Sequence, residues 1–167
     1  MLYFLRRLIY ALLTTFLVLS VTNCGGEKKQ QESSYVPVTK FDPERNPFND
    51  LRDAVKEATK TNKRIILDVG GDWCSWCFKL DHLYEQNPDL NKYLHDHFIV
   101  VKINYSKENK NEKFLAQYPK IPGYPHLFVL ESDGTFLHSQ DTGKLEKGKA
   151  HDKDKVFAFL KEWAKKI

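Results

Sequence analysis

Two cysteines three positions apart, in Trp73-Cys74-Ser75-Trp76-Cys77, sit where the periodicity of the chain changes. Before them, Arg64-Ile65-Ile66-Leu67-Asp68-Val69 is a short β-branched, apolar run, the pattern of a buried strand. Gly70 and Gly71 interrupt it. From Cys74 onward the spacing is helical, through Cys77, Phe78, Leu80, Asp81, Leu83 and Tyr84. The pair therefore falls on a strand–loop–helix junction, with Cys74 near the first helical turn. Unpaired backbone N–H groups and the helix dipole favour a negative charge there. A thiolate is such a charge, so Cys74 is expected to be more acidic than a free thiol. Two thiols facing each other at this place meet the requirement of a reversible intramolecular disulfide.

A CxxC pair is also half of a structural zinc site. Zinc normally takes four Cys or His ligands. The one other cysteine is Cys24, and His82, His95 and His97 lack the usual ligand spacing. Redox chemistry is the reading carried forward, with no metal and no cofactor expected.

A chain of 167 residues allows one domain plus appendages. Its 29% charged and 41% apolar residues suit a soluble globular fold, and 13% aromatic residues are ample for a core. The formal charge is +4; without Arg6 and Arg7 of the N-terminal segment, 24 basic side chains face 22 acidic ones. That bias is too weak to point to nucleic acid.

Residues 1–23 read as a targeting segment. Arg6 and Arg7 form a positive n-region, and Leu8 to Val21 form an apolar stretch of 14 residues, shorter than the roughly 20 of a membrane span. Val21-Thr22-Asn23-Cys24-Gly25 resembles a bacterial lipobox, in which the cysteine is lipidated and becomes the first residue of the mature protein. Asn23 stands where Gly, Ala or Ser is usual, and an uncleaved N-terminal anchor is the other reading. Either places the rest of the chain outside the inner membrane. Gly25 is not the Asp that retains many lipoproteins at the inner membrane, so the resemblance favours the outer one. The expected location is the periplasmic side of a bacterial cell envelope. Residues 24–48 read as the lipidated cysteine and a flexible tether. They are polar up to Ser34 and punctuated by Pro37, Pro43 and Pro47. About two dozen such residues span roughly 25–30 Å. Tyr35, Val36, Val38, Phe41 and Phe48 are the side chains able to dock part of it.

The domain is expected over 49–167. Asn49 or Asp50 caps a helix to about Thr61, and the 64–69 strand follows. Pro88 opens a second helix after the CxxC helix. Phe98 to Tyr105 is a strand, and a short helix spans about Asn111 to Tyr118. Leu127–Leu130 and Thr135–His138 form a hairpin around Glu131-Ser132-Asp133-Gly134. Residues 139–151 read as a polar surface loop, and a last amphipathic helix covers about 152–166. This order predicts an α/β domain: a mixed central sheet with helices on both faces.

Order and motif together resemble the thioredoxin family over roughly 50–167. Asp68 lies six residues before Cys74, where the family has a buried carboxylate. Lys102 falls where it has a buried lysine, and Pro125 where it has a cis-proline facing the disulfide. The stretch from Asp72 to Ile103 looks closest to the thioredoxin-like domain of the membrane reductase DsbD and to small bacterial thioredoxin-like lipoproteins. Two departures stand out. The dipeptide between the cysteines is Ser75-Trp76 rather than Gly-Pro, so the family's redox potential does not carry over. Tyr124 precedes the proline, where smaller or β-branched residues are common.

The resemblance implies a role for each residue. Cys74 is the nucleophile and Cys77 the resolving thiol, with Asp68 accepting its proton. Lys102 moderates the charge of Asp68. Pro125 packs flat on the disulfide, and the backbone of Tyr124 pairs with an extended substrate. Trp73 and Trp76 line the mouth of the site. The function implied is a membrane-tethered extracytoplasmic thiol–disulfide oxidoreductase of the reductase type. Its partners would be protein thiols or disulfides and a membrane electron donor of the DsbD type, and it would act as a monomer. The competing class is a non-enzymatic thioredoxin-fold module for docking or copper delivery through Cys74, Cys77 and a histidine.

Overall fold

The computed structural model describes residues 35–166; the leader, Cys24 and the tether up to residue 34 lie outside the described residues. The first helix, α1 (Pro47–Thr61), is capped by Asn46, whose side chain accepts from the N–H groups of Phe48 and Asn49. Pro47 fills the first helical position, where its missing N–H costs nothing. This corrects the expected start at Asn49 or Asp50. Asp50 instead takes a two-pronged hydrogen bond from Arg45, at 2.6 and 3.0 Å. The helix stops at Asn62, which adopts φ 55° and returns its N–H to Ala58.

Strand β1 (Arg64–Gly70) follows, buried along nearly its whole length. The chain then crosses through α2 (Ser75–Gln86) and α3 (Pro88–His97) to β2 (Phe98–Asn104). β2 runs parallel to β1, in a register that sets Asp68 opposite Lys102. After α4 (Glu112–Leu115), β3 (His126–Leu130) pairs antiparallel with the other side of β1, and β4 (Phe136–Asp141) pairs antiparallel with β3. The sheet order is β2-β1-β3-β4. The last helix, α5 (Lys153–Trp163), is capped by Asp152.

Alternation along the strands divides the core in two. On one face Ile65, Leu67, Val69, Val101, Ile103 and Phe128 pack with Ala54 and Ala58 of α1 and Phe114 of α4. On the other, Ile66, Phe98, Leu127 and Val129 meet Leu80, Leu90 and Leu94 of α2 and α3, and Val156, Phe159 and Leu160 of α5. Each fully buried Leu, Ile or Phe is worth about 1.5–3 kcal/mol over its exposed state. The expected mixed sheet with helices on both faces is what forms.

Three stretches differ in detail from the sequence reading. Residues 35–48 do not stand off from the domain throughout. Val38 and Phe41 are buried, and Val38 forms a parallel bridge with Val101 at the outer edge of β2. Val36 and Phe48 stay exposed. The short helix covers only Glu112–Leu115, and Tyr118 instead stacks on Phe128 with ring centroids 4.8 Å apart. Residues 139–151 are not a plain loop. They complete β4, make a 3-10 turn at Thr142–Leu145, and form a small hairpin of β5 (Glu146–Lys147) and β6 (Ala150–His151). Thr142, Leu145 and His151 are buried there. Two of those three are polar, so no apolar run announces the burial.

Candidate active site

The glycines after β1 let the chain turn and bring α2 down onto the sheet. Cys74 is the N-cap of α2; its Sγ accepts the Cys77 N–H at 3.1 Å. The two residues form a disulfide across a Cα–Cα distance of 5.3 Å, and both are buried, Cys77 almost completely. Gly70 makes this possible. A Cβ there would lie 2.5 Å from Cys77 Sγ and 3.0 Å from the Phe41 ring. Gly71 is as confined: a Cβ would come within 2.8 Å of the Tyr105 carbonyl oxygen.

A partly buried ion cluster shares the Phe41 ring with the disulfide. Lys102 Nζ donates to Asp68 Oδ2 at 2.9 Å and to Asp81 Oδ1 at 2.8 Å. The register of β1 with β2 sets the first contact, and α2 brings the second. Burial works against the charge on Lys102, but Asp68 and then Asp81 outweigh it and raise its pKa. Burial raises the pKa of Asp81; Lys102 opposes that shift and Asp68 adds to it. One ammonium between two carboxylates leaves net negative charge on the cluster when both acids are ionised. Asp68 Oδ1 is buried and has no hydrogen-bond partner among the described residues. It is a free acceptor in the interior, and a thiol proton or a water would satisfy it. The Phe41 ring covers the ammonium, its centroid 4.3 Å from Nζ.

Aromatic side chains form the mouth. The Tyr124–Pro125 bond is cis. The Pro125 carbonyl accepts from Thr142 Oγ1 at 2.5 Å. Trp73 is 57% exposed, and its indole N–H donates to the Tyr105 carbonyl at 2.6 Å. Tyr124 stacks on Tyr105 at 4.8 Å and meets Trp73 edge-on at 5.5 Å. Burial pushes the Tyr124 phenol up, and its hydrogen bond with Tyr105 adds to the shift. A cleft of about 430 Å³ opens beside this cluster, lined by Trp73, Tyr105 and residues 106–108 and 110. On the opposite side Trp76 carries Lys79 Nζ 3.8 Å over its ring. The Trp76 carbonyl lies 3.3 Å from His151 Nε2. Burial lowers the pKa of His151, whose Nδ1 has no partner.

The sequence model described as "Thioredoxin-like" matches residues 46–132, just over half of the chain. The chain belongs to the thioredoxin-like family. Disulfide bond reductase DsbH of Chlamydia pneumoniae is 28% identical over 94 residues, 51% of this chain and 56% of that protein. Thiol:disulfide interchange protein DsbD of Pseudomonas fluorescens is 24% identical over 115 residues, 68% of this chain but 18% of that protein. The chain thus spans little more than half of the first relative and under a fifth of the second. Among solved structures, a disulphide isomerase from Xylella fastidiosa shares the thioredoxin-like fold with a TM-score of 0.64 at 22% identity, over 76% of this chain and 97% of that one. The oxidised C-terminal domain of DsbD from Neisseria meningitidis aligns with a TM-score of 0.52 at 23% identity, over 70% and 95%.

Within this thioredoxin-like domain, Cys74 and Cys77 pack with Phe41 and Tyr124, Asp68 pairs with Lys102 under the same Phe41 ring, and Trp73 meets Tyr124 edge-on. Trp76 packs partly against the cysteines. Sequence reading missed Asp81, Phe41, Tyr105 and His151. Asp81 had a signal: it stands four residues after Cys77, so both project from one face of α2. Phe41 was legible only as a side chain able to dock the tether, with nothing to place it at the disulfide, and His151 had no signal, because each reaches the site from a segment distant in sequence.

Proposed function

We propose that the chain is a thiol–disulfide oxidoreductase that reduces protein disulfides from a lipid tether on the periplasmic side of a bacterial envelope. The observation that carries it is the Cys74–Cys77 disulfide at the N-terminus of α2, backed by the unsatisfied Asp68 oxygen. The names of DsbH and DsbD support the direction, and the lipobox-like run ending in Cys24 supports the tether.

In the reduced chain the α2 N-terminus stabilises Cys74 as a thiolate. That thiolate attacks one sulfur of a client disulfide. A Cys74–client bond forms, and the client's second sulfur leaves as a thiolate and takes a proton from solvent. Cys77 then loses its proton to Asp68 and attacks Cys74 Sγ. The client's remaining sulfur leaves as a thiolate and takes up the proton that Asp68 received, and the two electrons of the dithiol have passed to the client. The product is the closed disulfide seen here. A membrane dithiol donor restores it by the same exchange in reverse. The client segment runs past Tyr124 and Pro125, with its backbone paired to Tyr124.

The test is the equilibrium reduction potential of the pair in glutathione buffers. A value near or below about −250 mV supports a reductant, and one near about −120 mV reverses the assigned direction. Absence of any reversible two-electron transition overturns the oxidoreductase reading. The tether is tested by radiolabelled palmitate incorporation, which Cys24→Ser abolishes if Cys24 is lipidated.

A further inference from the structure

The family match begins at residue 46, yet one side chain packed on the disulfide comes from before it. Phe41 is 6% exposed and clusters with Cys74 and Cys77. Its ring does two things at once. It approaches the Cα of Gly70 from the same side as Cys77 Sγ, since a Cβ there would strike both. It also lies over the Lys102 ammonium at 4.3 Å. The backbone on either side is tied down. Val38 accepts the Lys102 N–H at 3.2 Å, and the Pro43 carbonyl accepts from Asn109 Nδ2 at 2.8 Å. A strap held at both ends thus places one aromatic ring against both the redox pair and the ion cluster.

We propose that Phe41 is a positioning residue of the redox centre, which holds Lys102 between Asp68 and Asp81 and keeps water from Cys77. Two physical effects combine. An ammonium over a ring face is attracted to it, more so when desolvated. Excluding water keeps the local dielectric low, so the charges of Asp68, Lys102 and Asp81 act strongly on the Cys77 thiol. Nearby groups able to share that task are Asp68 on β1, Lys102 on β2, Asp81 and Tyr84 on α2, and His151 on β6; the strap contributes no titratable group at Phe41. Loss of the ring should therefore appear in the acidity of Cys77, as well as in stability. The proposal rests on the thiol–disulfide reading given above.

The experiment uses the full chain, reduced and pulsed with iodoacetamide from pH 5 to 10, with labelling of Cys74 and Cys77 resolved by peptide mass spectrometry. Circular dichroism verifies the fold of each variant. Phe41→Ala is expected to raise Cys77 labelling at pH 7 about tenfold or more and to move the midpoint of its pH profile. Phe41→Tyr keeps the ring and should stay within about twofold of the parent. Phe41→Leu keeps the apolar contact without a ring face; its midpoint should move while Cys77 protection is largely kept. Val36→Ala, in the same segment but exposed, should change nothing. A folded Phe41→Leu chain with the parent's midpoint overturns the positioning role, whatever Phe41→Ala does. If the parent itself shows no reversible dithiol–disulfide cycle, the oxidoreductase reading fails instead, and the two failures are told apart.

Discussion

Asp68 and Lys102 are register partners across the parallel β1–β2 pair, and their charged ends meet at 2.9 Å. Asp68 keeps its second oxygen free, whereas Lys102 spends a further hydrogen bond on Asp81. The Asp68 carboxylate is thus held by an ammonium that a second acid also holds. Asp68→Asn should slow resolution of a mixed disulfide at neutral pH by about 10²-fold, the lower range for loss of a positioned base. Attack by Cys74 on a small disulfide should change far less. Quenched-flow measurement of the two steps separates them, and equal slowing of both would refute the assignment.

Cys77→Ser should trap a Cys74-linked mixed disulfide with client protein, visible on a non-reducing gel and released by dithiothreitol. Cys74→Ser should trap little, because Cys77 is the more deeply buried of the two. The opposite pattern would exchange the roles of nucleophile and resolving thiol.

Gly70→Ala places a methyl group 2.5 Å from Cys77 Sγ and 3.0 Å from Phe41 Cζ. Overpacking of this kind costs about 1–3 kcal/mol. The urea midpoint should fall accordingly, and disulfide closure should slow, because the sulfur is one of the atoms that must move. Gly123→Ala meets nothing within 4 Å and serves as the comparison, with both properties unchanged.

Acid should weaken the fold before most carboxylates titrate. Burial lowers the pKa of His126 from 6.5 to about 4. As pH falls through about 6.5 the unfolded chain takes up the proton first, so stability is lost between about 6.5 and 4 and levels off below. The loss is at most about 3 kcal/mol. His151 shifts in the same direction through burial and adds to it. Urea midpoints between pH 7.5 and 4.5 measure the slope. His126→Gln, which retains a hydrogen-bonding group for Ser139 without a titration in this window, should flatten it.

Trp73 is exposed yet pinned by its hydrogen bond to Tyr105 and its edge contact with Tyr124. An exposed aromatic beside a reactive sulfur is suited to contact a client. Trp73→Ala should raise KM for a peptide disulfide severalfold while lowering Tm by only a few degrees. A fall in kcat at constant KM would assign the indole to the chemistry instead.

The fold was readable because its local signals agreed: β-branched runs at 64–69 and 98–105, a helical period after Cys74, and a Gly-containing turn at 131–134. Asp68 was readable as inward because Leu67 and Val69 flank it in an apolar run. Lys102 and Pro125 were readable only through family resemblance, since a lone lysine or proline in such runs has an ordinary explanation. Asp81 was legible in principle, four residues after Cys77 on one face of α2, but its polarity suits a helix face that meets water equally well. His151 and Phe41 were hidden because their segments look like a surface loop and a tether. Only the packed structure reveals that Trp76 and Lys102 await them. Burial decided by contacts distant in sequence leaves no periodic trace.

The bridge at Val38 also bears on what the sheet can do to its neighbours. β2 is an outer strand, and outer strands present unpaired N–H and C=O groups that invite pairing with another chain. Val38 already occupies the middle of that row, taking the Lys102 N–H and lying alongside Val101. A foreign strand must displace it before it can add there. The strap that sets Phe41 against the sulfur pair thus also guards the β2 edge against pairing with another chain.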